Sequence, residues 1–400
     1  MFAKKYCQNS TLKTSNMRIG IITHYYHSQN YGGNLQAYAL CKFLELHGYD
    51  VEQICYKGRH KSGFLYKLCS LIYHKGVKVV KSVLHPRAYI NISKRKKTVS
   101  YFNQQVIPHS KQVYNDNTLV NLANNYDLFI TGSDQVWHPN AVCDAYLLDL
   151  KTPNLHKIAY AASVSKSKLS IDESNRYRSA LSDFQAISVR EEDAVNLISP
   201  LANVPVEWVV DPVFLLDSNI WNDFAEDRII NVKYLFCYFL GSDNRARAIA
   251  SDYAKKNNLL LVTMPYLSNT FSVCDHRFGD MQLFDVSPSQ LLSIIRYAEC
   301  VFTDSFHIMA FSLIFKKNHF VFERPVKESM SSRIHSLANF FETQSHFCDS
   351  AEKMNMEYVA SQIPINYDER TEKYDSILAK SVDFLLSNIE IAKENIKKGR

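Results

Sequence analysis

The sequence predicts an α/β protein built from two doubly wound lobes with a cleft between them, and three observations lead there. Short apolar runs suited to strands alternate with amphipathic helical stretches along most of the chain, the pattern of parallel sheets covered by helices on both faces. That alternation breaks near Asp211-Pro-Val-Phe-Leu-Leu-Asp217 and then restarts. A length of 400 residues also exceeds what one ordinary core organises. The expected division is a first α/β domain over 17–217, a second over 218–345 and a helical extension over 346–400.

The first domain opens on Arg18-Ile-Gly-Ile-Ile-Thr23, an apolar run suited to a buried strand. A polar loop is expected over 24–34, followed by a helix over 35–47 that Gly48 ends as a C′ residue. Val51-Glu-Gln-Ile-Cys55 completes a β-loop-α-β unit. Further strands are expected at 128–131, 158–162, 186–189 and 206–210, with helices over 172–184 and 191–198. In the second domain, strands at 234–240, 259–264, 300–302 and 319–322 alternate with helices over 244–256, 287–298 and after Ser305. Another helix is expected from about 332 and a last one over 374–397.

Composition narrows the class. Hydrophobic residues make up 46% and charged ones 22%, ordinary for a soluble globular chain. No apolar run reaches the roughly 18–20 residues of a membrane span. Residues 1–16 lack the apolar centre of a secretory signal and read as a polar leader, with Met17 as an alternative start. The nine cysteines are scattered without a CxxC pair, which points to reduced thiols and a cytoplasmic protein. There is no HExxH, paired cysteine knuckle or DxD triplet, so neither a metal site nor a bound cofactor is expected. The net charge of +6 is unevenly spread, since 57–97 holds twelve Lys or Arg residues and no Asp or Glu. Apolar residues at 64, 65, 68, 71 and 72 make part of this stretch a basic amphipathic helix. It either packs on the core with a solvated basic face or rests on the anionic inner surface of a membrane. No nucleic-acid motif accompanies it.

Four loops fall where strands end, the usual position of ligand groups in open α/β sheets. In Asn30-Tyr-Gly-Gly-Asn34, Gly32 and Gly33 allow close backbone approach, although the loop matches neither the dinucleotide fingerprint nor a P-loop and also reads as a plain turn. Gly132-Ser133-Asp134 offers a hydroxyl, a carboxylate and free N–H groups, or simply an Asx-type cap. Arg190 ends a strand and is either paired with Glu191 or Glu192 or turned toward an anion that its planar fork would grip. Thr303-Asp304-Ser305-Phe306-His307 places three good N-cap residues before an apolar helix and a histidine in its first turn. There the helix N-terminus favours phosphate or carboxylate, and an imidazole beside it suits proton transfer. The competing reading is a histidine that only packs. Arg324 and Arg333 downstream add positive charge to the cleft or lie at the surface.

Taken together, these loops resemble the polysaccharide pyruvyl transferase family from about residue 18 to about 341. The resemblance is carried by Asn30-Tyr-Gly-Gly-Asn-Leu-Gln-Ala-Tyr-Ala39, Gly132-Ser-Asp-Gln-Val-Trp137, Lys157-Ile-Ala-Tyr-Ala-Ala-Ser163, Ile187-Ser-Val-Arg-Glu191, Asp211-Pro212 and Thr303-Asp-Ser-Phe-His307. It implies two Rossmann-like lobes in a GT-B-like arrangement. It also implies transfer of a pyruvyl group from phosphoenolpyruvate to a sugar or lipid-linked glycan, giving a cyclic ketal and phosphate. Arg190 matches the family's donor-binding arginine and His307 its key histidine, while Asp134 or Asp304 would orient that histidine or act on the acceptor. Some members carry an arginine where this chain has Ser305, and many have glycine in place of Ile308. The donor phosphate is then expected to rest on Arg324, Arg333 or backbone N–H groups. Two other readings share the cleft: a GT-B glycosyltransferase using a nucleotide sugar, and a glycan-binding protein without turnover.

Overall fold

The structure, a computed structural model, describes residues 17–58, 86–152, 154–267, 272–324, 332–368 and 371–399. The amphipathic stretch expected around 64–81 lies outside them. Seven strands form the first sheet: β1 (Arg18–Ile22), β2 (Asp50–Tyr56), β3 (His109–Tyr114), β4 (Leu128–Thr131), β5 (His156–Ala162), β6 (Ala186–Val189) and β7 (Val206–Trp208), in the order 3-2-1-4-5-6-7. Every pairing in it is parallel. Alternation along the strands sends Ile19, Ile21, Leu128 and Ile130 into one core and Ile22, Phe129 and Ala159 into the other. Both faces of the sheet are therefore buried, as a parallel sheet requires. The sheet is accompanied by helices α1 (Tyr31–Leu46), α2 (Pro86–Gln105), α3 (Ile171–Leu181) and α4 (Glu192–Ile198).

Two local results differ from expectation. Helix α1 starts at Tyr31 and not at Leu35, because the Asn30 side chain caps it by accepting from Gly32 N at 3.0 Å. The two glycines thus sit in a helical first turn and not in a loop. Strand β3 carries no apolar alternation, since only Ser110 and Tyr114 at its ends are buried. It is an edge strand held by its pairing to β2.

The second lobe begins with α5 (Ser218–Phe224) and repeats the alternation. Its six parallel strands are β8 (Tyr234–Tyr238), β9 (Leu260–Thr263), β10 (Met281–Gln282), β11 (Cys300–Thr303), β12 (His319–Phe322) and β13 (Phe347–Cys348), in the order 10-9-8-11-12-13. Helices α6 (Asn244–Lys256), α7 (Pro288–Arg296), α8 (Phe306–Ile314), α9 (Ser332–Phe340) and α10 (Met356–Ser361) accompany them. Helix α7 starts on a capping box between Ser287 and Gln290 with Pro288 in its first turn, both strong initiation signals. The second sheet runs past the expected boundary at 345, because β13 adds its edge strand.

The last helix, α11 (Thr371–Gly399), returns to the first lobe. Ser381 Oγ accepts from Val210 N at 3.0 Å and Asn388 O accepts from Gln185 Nε2 at 2.8 Å. Phe384, Leu385, Ile389 and Ala392 complete the apolar contact. The chain therefore crosses between lobes twice, and aromatic rings tie the crossings together. Phe214 lies 5.5 Å from Phe341, and Tyr374 lies 6.3 Å from Phe214 and 5.2 Å from Phe341. A single apolar core runs from Ile19 and Ile130 through Phe214 and Trp221 to Phe236, Val301 and Phe311, joining the lobes behind the cleft.

Candidate functional site

His307 projects from the first turn of α8 at the end of β11. The turn before it is set by side chains. Thr303 Oγ1 donates to Tyr238 O at 2.7 Å and accepts from Ser305 N at 3.1 Å. Ser305 has the extended backbone of an N-cap, yet its hydroxyl makes no capping bond. It faces a narrow pocket that it shares with Asn30, Tyr31, Gly32, Tyr238 and His307.

The first lobe meets this turn with the ends of β4, β6 and β7. Arg190 follows β6, and its Nη1 donates to Asp211 Oδ2 at 2.8 Å, while its Nη2 stands 3.7 Å from Asp134 Oδ1. Neither Glu191 nor Glu192 is its partner. Glu191 accepts instead from the hydroxyls of Ser163 and Ser165. The guanidinium lies 4.5 Å over the Phe306 ring from the other lobe, and Arg333 approaches the same ring at 5.9 Å. Asp211 is the hub of the cluster. It also accepts from Ser133 Oγ at 2.9 Å and Val213 N at 3.1 Å, and its Oδ2 lies 3.7 Å from His307 Nε2. That last separation is an electrostatic contact and too long for a hydrogen bond.

Two glycines admit the histidine and the aspartate. A Cβ on Gly32 would stand 2.1 Å from His307 Nδ1, so only glycine fits. A Cβ on Gly33 would come within 3.1 Å of Asp134 Oδ2. Ser133 is fixed from both sides, its N–H donating to Gln36 Oε1 at 3.2 Å and its carbonyl accepting from Thr23 Oγ1 at 2.9 Å. Asp134 holds a left-handed backbone at φ 64°.

Electrostatics follow from this crowding. Burial pushes the Asp211 carboxyl up, but the His307 imidazole and the Arg190 guanidinium outweigh it and hold Asp211 well below the usual carboxylate range. Burial likewise opposes ionisation of Asp134, and Arg190, His307, His24 and Arg333 together lower it. Burial and the like charge of Arg190 bring Arg333 down to about 10, which leaves it cationic at neutral pH. Several nitrogens of this cluster are buried without a hydrogen-bond partner: Arg190 Nε and Nη2, Arg333 Nε, and His307 Nε2. Unsatisfied cationic donors are costly unless an anion completes them.

Of the residues singled out from sequence, Asn30, Gly32, Gly33, Ser133, Asp134, Arg190, Ser305, His307 and Arg333 are brought together. Asp304 and Arg324 form a separate group on the second lobe. Asp304 uses both oxygens to accept from Leu240 N and Gly241 N, each at 2.7 Å, so it shapes the loop after β8 and does not orient His307. Burial raises its carboxyl, with Arg324 opposing. Asp211 was visible in the sequence only beside Pro212; its place at the end of β7 was the available signal.

Two facing parallel lobes with charged side chains of each meeting at the strand ends define a two-lobed α/β protein of the GT-B-like class. Solved structures agree on the fold. The UDP-bound MnaA of S. aureus superposes with a TM-score of 0.54 at 11% identity, covering 93% of this chain and 97% of that one. UDP-GlcNAc 2-epimerase from Neisseria meningitidis, bound to UDP-GlcNAc, gives 0.50 at 10% identity, covering 93% and 98%. No curated protein sequence is significantly similar. The chain belongs to the polysaccharide pyruvyl transferase family, whose model matches residues 30–324.

Proposed function

We propose that the protein transfers the pyruvyl group of phosphoenolpyruvate to two hydroxyls of a sugar in a surface-polysaccharide precursor. The observation that carries this reading is the set of buried donors without a hydrogen-bond partner on Arg190 and Arg333, which approach the Phe306 ring from the two lobes, with the unpartnered His307 Nε2 on the neighbouring residue. Phosphoenolpyruvate brings two anionic groups to such a point. In the proposed reaction C3 of the enol gains a proton and C2 becomes electrophilic. One sugar hydroxyl adds to C2, the C2–O bond to phosphate breaks, and the second hydroxyl closes the ketal. The hydroxyls release two protons; one balances that gained by C3, and the other leaves with phosphate. His307 is assigned the proton transfer, a role that supplies typically about 10²–10⁴-fold. Asp211 faces its Nε2 at 3.7 Å, and Arg190 with Arg333 grips carboxylate and phosphate. Asp134 sets the orientation of Arg190.

The acceptor is assigned to the lipid-linked class, at the inner face of a membrane. Supporting this are the basic composition of 57–97 and the outward face of α2, where Lys94 and Lys97 are exposed beside Ile90 at 57% and Tyr101 at 68%. Among the described residues no helix is long and apolar enough to cross a membrane. The test is incubation with phosphoenolpyruvate and candidate free or lipid-linked glycans, following phosphate and ketal together. Consumption of a nucleotide sugar with no phosphate from phosphoenolpyruvate would replace this reading by glycosyl transfer. Binding without turnover would leave a glycan-binding protein.

A further inference from the structure

A second pocket opens between the loop after β1 and helix α2, with Tyr26, His27, Ser100, Asn103, Gln104 and His109 among its lining residues. The loop turns back on itself where Ser28 N donates to Tyr25 O at 2.8 Å, and His27 at its corner has a left-handed backbone, φ 56°. That turn lays the His27 ring against Tyr26, with centroids 4.1 Å apart. Helix α2 braces the loop, as Asn103 Nδ2 donates to Ser28 O at 3.0 Å and to Tyr25 O at 3.4 Å. Asn103 is 6% exposed, and its Oδ1 is buried without a hydrogen-bond partner. Among the described residues, the side chains of Tyr26, His27 and Gln104 likewise hydrogen-bond to nothing.

What can sit here follows from the lining. No Asp, Glu, Lys or Arg takes part, so nothing balances the charge of a phosphate or a carboxylate. Aromatic faces, a hydroxyl, two amides and two imidazoles suit a neutral ligand that alternates C–H faces with hydroxyls. The space is about 290 Å³ counting its open mouth, at the lower end of ligand pockets, so it takes one sugar ring and not a longer piece. Only Ser28 and Gln29 separate His27 from Asn30, which lines the narrow pocket of Ser305 and His307. Asn30 N donates to Ser28 Oγ at 3.1 Å, and three residues span at most about 11 Å.

We propose that this pocket is a sugar subsite. It holds the ring next to the one that receives the pyruvyl group, and so selects a glycan chain over a free monosaccharide. The Tyr26–His27 pair supplies the stacking surface, and Ser100 and Gln104, with the open Oδ1 of Asn103, the hydrogen bonds. Calling the ring part of the acceptor rests on the pyruvyl-transfer reading, whereas binding of a neutral sugar at the pocket does not.

The test is saturation-transfer NMR on the full-length protein with lactose, cellobiose, maltose and N,N′-diacetylchitobiose, beside their monosaccharides, for wild type, Ser100→Phe and His27→Asn. Phenylalanine fills the pocket from α2, and asparagine removes the imidazole while tolerating the left-handed backbone. Wild type is expected to bind at least one disaccharide with a dissociation constant in the millimolar range or below. Ser100→Phe should lose that signal and His27→Asn weaken it about fivefold, the loss of one ring contact. Phosphoenolpyruvate binding should stay within about twofold in both variants, since the pocket is separate from the Arg190–His307 cluster. No disaccharide signal in wild type at about 10 mM, or an unchanged one in Ser100→Phe, overturns the subsite. Should Ser100→Phe fail to fold, unchanged affinity in His27→Asn overturns it equally. If sugar binding follows the variants as expected but phosphoenolpyruvate yields no phosphate with any acceptor, pyruvyl transfer fails and the sugar site stands.

Discussion

At the scale of single residues, the site is defined by what Gly32 leaves room for. Its missing side chain admits the imidazole of His307, so Gly32→Ala should displace the ring and lower turnover by about 10²-fold, the cost of a misplacement near 1 Å. A steady-state assay with phosphoenolpyruvate checks this, and unchanged kcat would show that His307 tolerates displacement. His307→Ala and Arg190→Ala should each reduce turnover at least about tenfold while the circular dichroism spectrum stays native. Near-normal rates in either would remove that residue from the reaction. Arg190 and Asp211 also neutralise each other in the interior, so removing either one leaves a buried charge. Asp211→Asn should therefore cost stability as well as rate, about 3–5 kcal/mol in denaturant unfolding, the penalty of an abandoned buried charge.

At the scale of elements, the turn between β11 and α8 joins shape to chemistry. Asp304 fixes the loop after β8 through two backbone N–H groups, so Asp304→Ala should lower stability by about 1–3 kcal/mol. A melting curve unchanged by this substitution would show that water replaces the carboxylate. Much of the architecture was legible at this scale. The strands at 128–131, 186–189 and 319–322 and the helix at 244–256 fall where apolar runs and caps place them. Strand β3 was not legible, because a polar edge strand has no alternation to read and owes its form to β2. The start of α1 was hidden for a different reason. Gly32 and Gly33 argue locally for a turn, and the contacts that favour a helical first turn come from His307 and Asp134, far away in sequence. The partner of Arg190 was hidden likewise, since Glu191 and Glu192 are adjacent in sequence but Asp211 is adjacent in space.

At the scale of the whole molecule, acid should unfold the protein partly through the cleft. Asp134 and Asp211 both titrate lower in the folded chain than in the unfolded one. Their contribution to stability is full above the unfolded value of about 3.9 and is lost as pH falls through the lower folded values. Melting temperature should therefore show no step from this pair between pH 5 and 8 and a decline below about pH 4. Asp211→Asn, already less stable at neutral pH, should show a shallower decline; an equally steep one would place the acid sensitivity elsewhere.

The paired aromatic crossings have a mechanical meaning. Phe214, Phe341 and Tyr374 clasp the outgoing and returning chain at one place, like two pins on a single axle. Because both crossings share one patch of packing, a substitution there is felt by both chain segments at once: Phe341→Ala loses its contacts with Phe214 and with Tyr374 together.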